Sequence, residues 1–156
     1  MRYVILHDVR SLYNVGAIFR TADGAGVAKI FLTGYTPAPI DRFGRTVTEI
    51  NKTSLGASEM VPWEQGDIVD VIARLHTDGV SVVAVEQAAT SVSLYEYAPP
   101  AKVAYIFGNE VLGVPPAVSL LADTILEIPM VGEKESLNVS VTAGVVLFHH
   151  AYREIR

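Results

Sequence analysis

Ser136, Leu137 and Asn138 end a loop that joins a short apolar run, Ile125–Ile128, to a long helical pattern starting near Asn138. The loop itself holds Gly132, two acids and a lysine. Ser and Asn accept hydrogen bonds from the first free amides of a helix, so capping is one reason for such residues at this point. One cap is enough, yet here two flank an apolar residue on a turn after a strand. Ligands of α/β sheets settle at strand ends, so a pocket wall is the second reason, and the spacing alone leaves both open.

Other residue groups fail as chemical motifs. Gly24-Ala25-Gly26 resembles part of a dinucleotide fingerprint but follows a helical pattern rather than a strand. Gly108 to Gly113 has the glycine spacing of a phosphate loop without its Lys-Ser/Thr ending. His149 and His150 are adjacent on a helix, point to different sides and lack carboxylates at ligand spacing, which gives them structural or surface roles and implies no metal site. The chain has no cysteine, which excludes a disulfide framework and a thiolate metal centre.

The bulk composition sets the frame. At 156 residues the chain is one ordinary domain, residues 1–156, able to bury a full core. Half of it is apolar and 19% is charged, which excludes disorder and favours a buried sheet. No apolar run approaches the ~20 residues that span a bilayer and the N-terminus lacks a signal-peptide pattern, so no membrane partner and a cytoplasmic location are expected. Net charge is −5, but unevenly spread. Residues 1–52 carry seven Arg and Lys against four acids, giving +3; the remainder carries five against thirteen, giving −8. A phosphate-binding face therefore belongs to the first third, unless the clustering is accidental.

The elements that must position these residues alternate. Tyr3–Leu6 predicts a first strand, Asn14–Ala22 a helix with Asn14 at or near its cap, and Lys29–Thr33 a second strand. A long loop carrying Arg42 and Arg45 follows, then a short helix near Thr46–Thr53 and a brief strand at Met60–Pro62. Asp67–His76 has helical spacing, Val80–Val85 and Val103–Phe107 are strands, Pro115-Pro116 opens a short helix, and Ile125–Ile128 is the last strand. Trp63 reads as a core or edge aromatic. This alternation predicts an α/β fold with a mostly parallel sheet and helices on both faces. The last helix, about Asn138 to Ile155, carries two apolar stripes: Val139, Ala143, Val146 and Leu147, and Val141, Val145, Phe148 and Tyr152. Two stripes call for cover on two sides, supplied by a second subunit or by the N-terminal helix, and a homodimer is the expectation.

Three pieces stand in order: Asn14…Arg20, Gly108-Asn109-Glu110…Gly113, and Ile128-Pro129-Met130…Ser136-Leu137-Asn138. With Asp23, Gly26 and Lys52-Thr53-Ser54-Leu55-Gly56-Ala57, they resemble the three motifs of the SpoU/TrmH family, RNA ribose 2′-O-methyltransferases of the SPOUT superfamily. The likeness covers essentially the whole chain. It implies a C-terminal deep trefoil knot, against the general rule that chains avoid knots, S-adenosyl-L-methionine as cofactor, and an active site completed across a homodimer.

By the same resemblance, Val85, Glu86, Gly108, Ile128, Met130, Ser136 and Leu137 hold the cofactor. Arg20 of one subunit acts at the partner's cofactor, anchoring the target phosphate and stabilising a developing alkoxide; a guanidinium is always protonated and makes a poor base. Asn14 positions the ribose or Arg20, Glu110 orients loops or accepts a proton, and Ser136 and Asn138 fix the loop and reach toward the ribose. The bland alternative makes Arg20 a buried residue paired with an acid such as Asp8. Family relatives that carry extra RNA-binding segments differ from this chain, which is expected to hold RNA with the catalytic domain through Arg10, Arg42, Arg45 and Lys52. The resemblance points to tRNA as the substrate, with rRNA, or a catalytically idle RNA-binding assembly factor, as alternatives.

Overall fold

The computed structural model describes residues 1–155, with side chains through Arg153. In chain order the elements are β1 (Arg2–His7), α1 (Leu12–Gly24), β2 (Lys29–Thr33), α2 (Thr48–Ser54), α3 (Ala57–Met60), β3 (Trp63–Gly66), α4 (Ile68–Thr77) and β4 (Ser81–Val85). They continue with β5 (Val92–Ser93), β6 (Val103–Phe107), α5 (Pro116–Ser119), β7 (Thr124–Glu127) and α6 (Val139–Ile155).

The seven strands form one sheet in the order β3-β2-β1-β6-β4-β7-β5, and every pairing is parallel. Parallel strands carry cover on both faces and so read as continuous apolar runs; β6, Val-Ala-Tyr-Ile-Phe, is buried at all five positions. Alternate side chains divide the core. Val4, Leu6, Val83, Tyr105 and Phe107 meet Val15, Ile18 and Phe19 of α1 and Ala143, Val146 and Leu147 of α6. Ile5, Val82, Ala84, Ala104 and Ile106 meet Val71, Ile72 and Leu75 of α4 and Val118 of α5. The expected two-faced α/β architecture is the observed one.

Several boundaries differ from expectation. Helix α1 starts two residues before Asn14, and its cap is Ser11, whose side chain accepts from the Asn14 amide. Met60 ends a short helix rather than opening a strand; the edge strand is Trp63–Gly66, with Trp63 packed partly against the core. The last strand stops at Glu127, leaving Ile128 in the loop beyond it, and Val80 lies just before β4. The two-residue β5 had no sequence signature.

The order of the C-terminal strands sets up the site. From β4 the chain runs to the sheet edge at β5, returns to β6 between β1 and β4, and finally inserts β7 between β4 and β5. Because all strands are parallel, the loops after β1, β2, β4, β6 and β7 leave one edge of the sheet, where α/β proteins place their ligands. Among the described residues no helix is long and apolar enough to cross a membrane.

Candidate functional site

A cavity of about 420 Å³ opens at the carboxyl ends of β4, β6 and β7. Val85, Glu86, Gly108, Ile128, Met130, Ser136 and Leu137, drawn from the end of β4 and the loops after β4, β6 and β7, all line it, and so does Glu110. The sequence reading did not single out Gln87, Leu126, Glu127, Glu135 or Thr142, which line it too. Position after a strand end was the available signal for Gln87, and the helical period from Asn138 for Thr142. Four glutamates border the cavity and, among the described residues, no Lys, Arg or His does.

The floor is built by close backbone approach. A Cβ on Gly108 would stand 2.3 Å from the carbonyl carbon and oxygen of Gly113, so the chain can fold back on itself only with glycine there. Gly113 has φ +68°, and a Cβ on it would meet the Glu86 carboxylate at 1.9 Å. That carboxylate accepts from the Val114 amide at 2.9 Å and from the Gln87 amide at 2.8 Å. The glycine spacing that imitates a phosphate loop thus serves a tight turn clamped by Glu86, whose oxygens are committed to the backbone.

A second set of hydrogen bonds ties the first motif to the other two. The Glu110 carboxylate accepts from the amides of Arg10 (3.1 Å) and Ser11 (2.9 Å) and from the side chain of Asn14 (3.1 Å). Asn138 donates to Oδ1 of Asn14 at 3.3 Å, while its own oxygen accepts from the Ser140 amide at 2.9 Å and caps α6. Of the two cap candidates, Asn138 is the cap; Ser136 lines the cavity. Burial pushes the Glu110 carboxyl up, but the bonds from Ser11, Arg10 and Asn14 outweigh it and hold the pKa below the usual carboxylate value. A carboxylate held ionised in this way is a poor proton acceptor, so of the two roles expected for Glu110 the geometry favours orienting loops. Asn109 adds a further tie, donating to the Asp8 carbonyl and to the Tyr35 hydroxyl, each at 3.0 Å.

Arg20 lies elsewhere in the single chain. It is exposed on α1, makes no hydrogen bond or ion pair among the described residues, and lines a shallow depression with Ala17, Thr21, Thr53 and Phe148. A buried pairing with Asp8 does not occur; Asp8 accepts from the Tyr35 amide at 3.1 Å and faces His7. Arg10, Arg42, Arg45 and Lys52 are all exposed. Of these, Arg45 is tied to Asp41 at 2.9 Å. The second apolar stripe of α6 is only partly covered, with Val141, Phe148 and Tyr152 each about half exposed.

Comparison with known proteins adds to this geometry. The model of the SpoU rRNA Methylase family matches residues 1–148. The chain is 32% identical over 145 residues to the 23S rRNA (guanosine-2′-O-)-methyltransferase RlmB of Neisseria meningitidis, covering 92% of this chain and 55% of that protein. An AdoMet-bound rRNA methyltransferase from Sinorhizobium meliloti superimposes with a TM-score of 0.88 at 32% identity, covering 99% of this chain and 57% of that one. A solved structure bearing on the 2-OH methylation of C/U34 on tRNA has a TM-score of 0.81 at 27% identity, covering 99% and 96%. The chain spans about half the length of the curated relatives it matches.

Proposed function

The chain belongs to the SpoU rRNA methylase family, and from that premise we propose that it transfers a methyl group from S-adenosylmethionine to a ribose 2′-hydroxyl of RNA. The observation that carries this reading is the character of the cavity: aliphatic walls from Val85, Leu126, Ile128 and Leu137, four glutamates, and no basic side chain among the described residues. Such a lining disfavours phosphate and suits a ligand with an apolar nucleoside and a positive sulfonium and amine. S-adenosylmethionine fits that description, and a structural relative binds it.

When bound, the cofactor supplies an electrophilic methyl on a sulfonium that leaves as a neutral thioether. The chain's own residues bind and orient. The aliphatic walls would hold the adenosine, the Gly108–Gly113 turn lets the backbone approach closely, and the Glu110–Asn14–Asn138 chain fixes α1, the loop after β6 and the start of α6 relative to one another. Alignment of this kind supplies much of the rate of a direct displacement. The insertion of β6 and β7 among earlier strands is where the expected trefoil knot would lie.

Arg20 enters through a homodimer. The depression it shares with Phe148 lies on the α1 and α6 side, where apolar side chains stay half exposed. A second copy seated there would cover that stripe and bring each Arg20 to the other's cavity. The guanidinium would then anchor the phosphate of the target nucleotide and stabilise the oxyanion forming at the 2′ position, the hydroxyl proton passing to solvent water.

For the RNA itself, the curated relatives at 32% identity and similar values are named for 23S rRNA, which favours rRNA over the expected tRNA. The C/U34 structure keeps tRNA as a second reading. Incubation with methyl-labelled cofactor and either 23S rRNA or bulk tRNA, followed by nucleoside analysis, separates them. A 2′-O-methylated nucleoside from one pool supports the proposal and names the class. Label on a base nitrogen, or on neither RNA, rejects it.

A further inference from the structure

The loop after β2 carries a feature that none of the three motifs uses. Phe43 is 66% exposed at the tip, between Arg42, whose guanidinium carbon is 4.7 Å from the ring centre, and Arg45, at 5.0 Å. An exposed phenylalanine ordinarily costs solubility and contributes nothing to a core. Here the tip is built to hold it. Asp41 accepts from the Phe43 amide at 2.8 Å and the Arg45 amide at 3.0 Å, and pairs with the Arg45 side chain. An Ile40–Thr46 bridge closes the base of the loop.

The two arginines differ. Arg45 is fixed by Asp41 and backs the ring, whereas Arg42 has no hydrogen bond or ion pair among the described residues and can swing to a new partner. The loop leaves the same sheet edge as the cavity, and β2 is two strands from β6, roughly 10 Å at the usual strand spacing. It is also joined to the cavity loop through the bond from Asn109 to Tyr35.

An aromatic face with adjoining guanidinia, on the positive third of an acidic chain, is the chemistry that receives an unpaired nucleotide: the ring stacks a base and the free cation takes a phosphate. We propose that the Asp41–Arg45 tip is a single-stranded RNA subsite in which Phe43 stacks a base flanking the modified nucleotide and Arg42 holds the adjoining phosphate. This rests on the RNA-modifying reading above, but its test needs no methyl transfer.

The test is direct binding of a short single-stranded RNA carrying 2-aminopurine, followed by anisotropy and by base fluorescence across a salt series. Phe43→Ala should weaken binding roughly ten-fold, abolish the quenching of 2-aminopurine and leave the salt dependence unchanged, while Phe43→Trp should restore both. Arg42→Ala should instead lower the slope of log affinity against log salt by about one. An unchanged melting curve checks that Phe43→Ala is folded, as its exposure requires. No binding by the wild type, unchanged affinity in Phe43→Ala, or no rescue by tryptophan overturns the subsite. A wild type that stacks RNA yet methylates none rejects the activity and leaves the subsite standing; one that methylates RNA with Phe43 irrelevant does the reverse.

Discussion

Asn138 donates its side-chain amide to Asn14 across 3.3 Å of space and 124 positions of sequence. Since Asn14 passes its own amide on to Glu110, one residue joins the first turn of α1, the loop after β6 and the start of α6. The expected roles of Asn14, in positioning the ribose or Arg20, and of Asn138, in reaching toward the ribose, therefore come with a structural duty, which is to keep three segments in register.

Asn14→Ala removes both bonds and should cost about 1 kcal/mol of stability, the net size of one or two partly exposed hydrogen bonds. Asn14→Asp should cost more, because it cannot donate to Glu110 and sets a second carboxylate beside it. Urea unfolding of the two variants checks the order, and an Asp variant as stable as the Ala one would show that the Glu110 contact carries little weight.

Gly113→Ala should destabilise by about 1–3 kcal/mol, through its positive φ and the collision with the Glu86 carboxylate. Gly108→Ala meets backbone rather than a side chain and should cost about 3 kcal/mol or more. Truncating Glu86 to Ala removes the carboxylate that Gly113→Ala strikes, so the pair should be less than additive. Calorimetry with S-adenosylmethionine should show weakened binding in both glycine variants, since their turn forms part of the cavity wall.

Acid should loosen the same loops. The pKa of Glu110 is depressed in the folded chain, so its bonds contribute full stability above the ordinary glutamate value of about 4.3 and lose it as pH falls through the lower folded value. Glu110→Gln should be less stable than the wild type at neutral pH, and the gap should close on acidification. Urea midpoints between neutral and acid pH measure it; a gap that stays constant would mean that the charge on Glu110 does not matter.

The sequence legibly carried whatever depends on local pattern. Val103–Phe107 is an uninterrupted apolar run, and Asp67 stands before a helical period as a cap should. Ser11 escapes the sequence pattern because the helix is read from Asn14, passing over Leu12. Trp63–Gly66 was missed because an edge strand containing Glu64 and Gln65 has no apolar pattern. The order of strands β4 to β7 left no periodic trace, since periodicity reports an element's type and not its neighbour. The pocket residues were legible only through motif resemblance, and that likeness could not reveal that Glu86 and Glu110 spend their carboxylates on backbone amides.

The most direct test of the central claim, that a cofactor cavity in one subunit is completed by Arg20 of another, is a paired measurement on Arg20→Ala: methyl transfer to RNA and calorimetric affinity for S-adenosylmethionine. Arg20 lies outside the cavity of its own chain, so the account predicts that transfer is abolished while affinity stays within a few-fold of wild type. Transfer that survives the substitution would contradict it, as would a folded variant that no longer binds the cofactor.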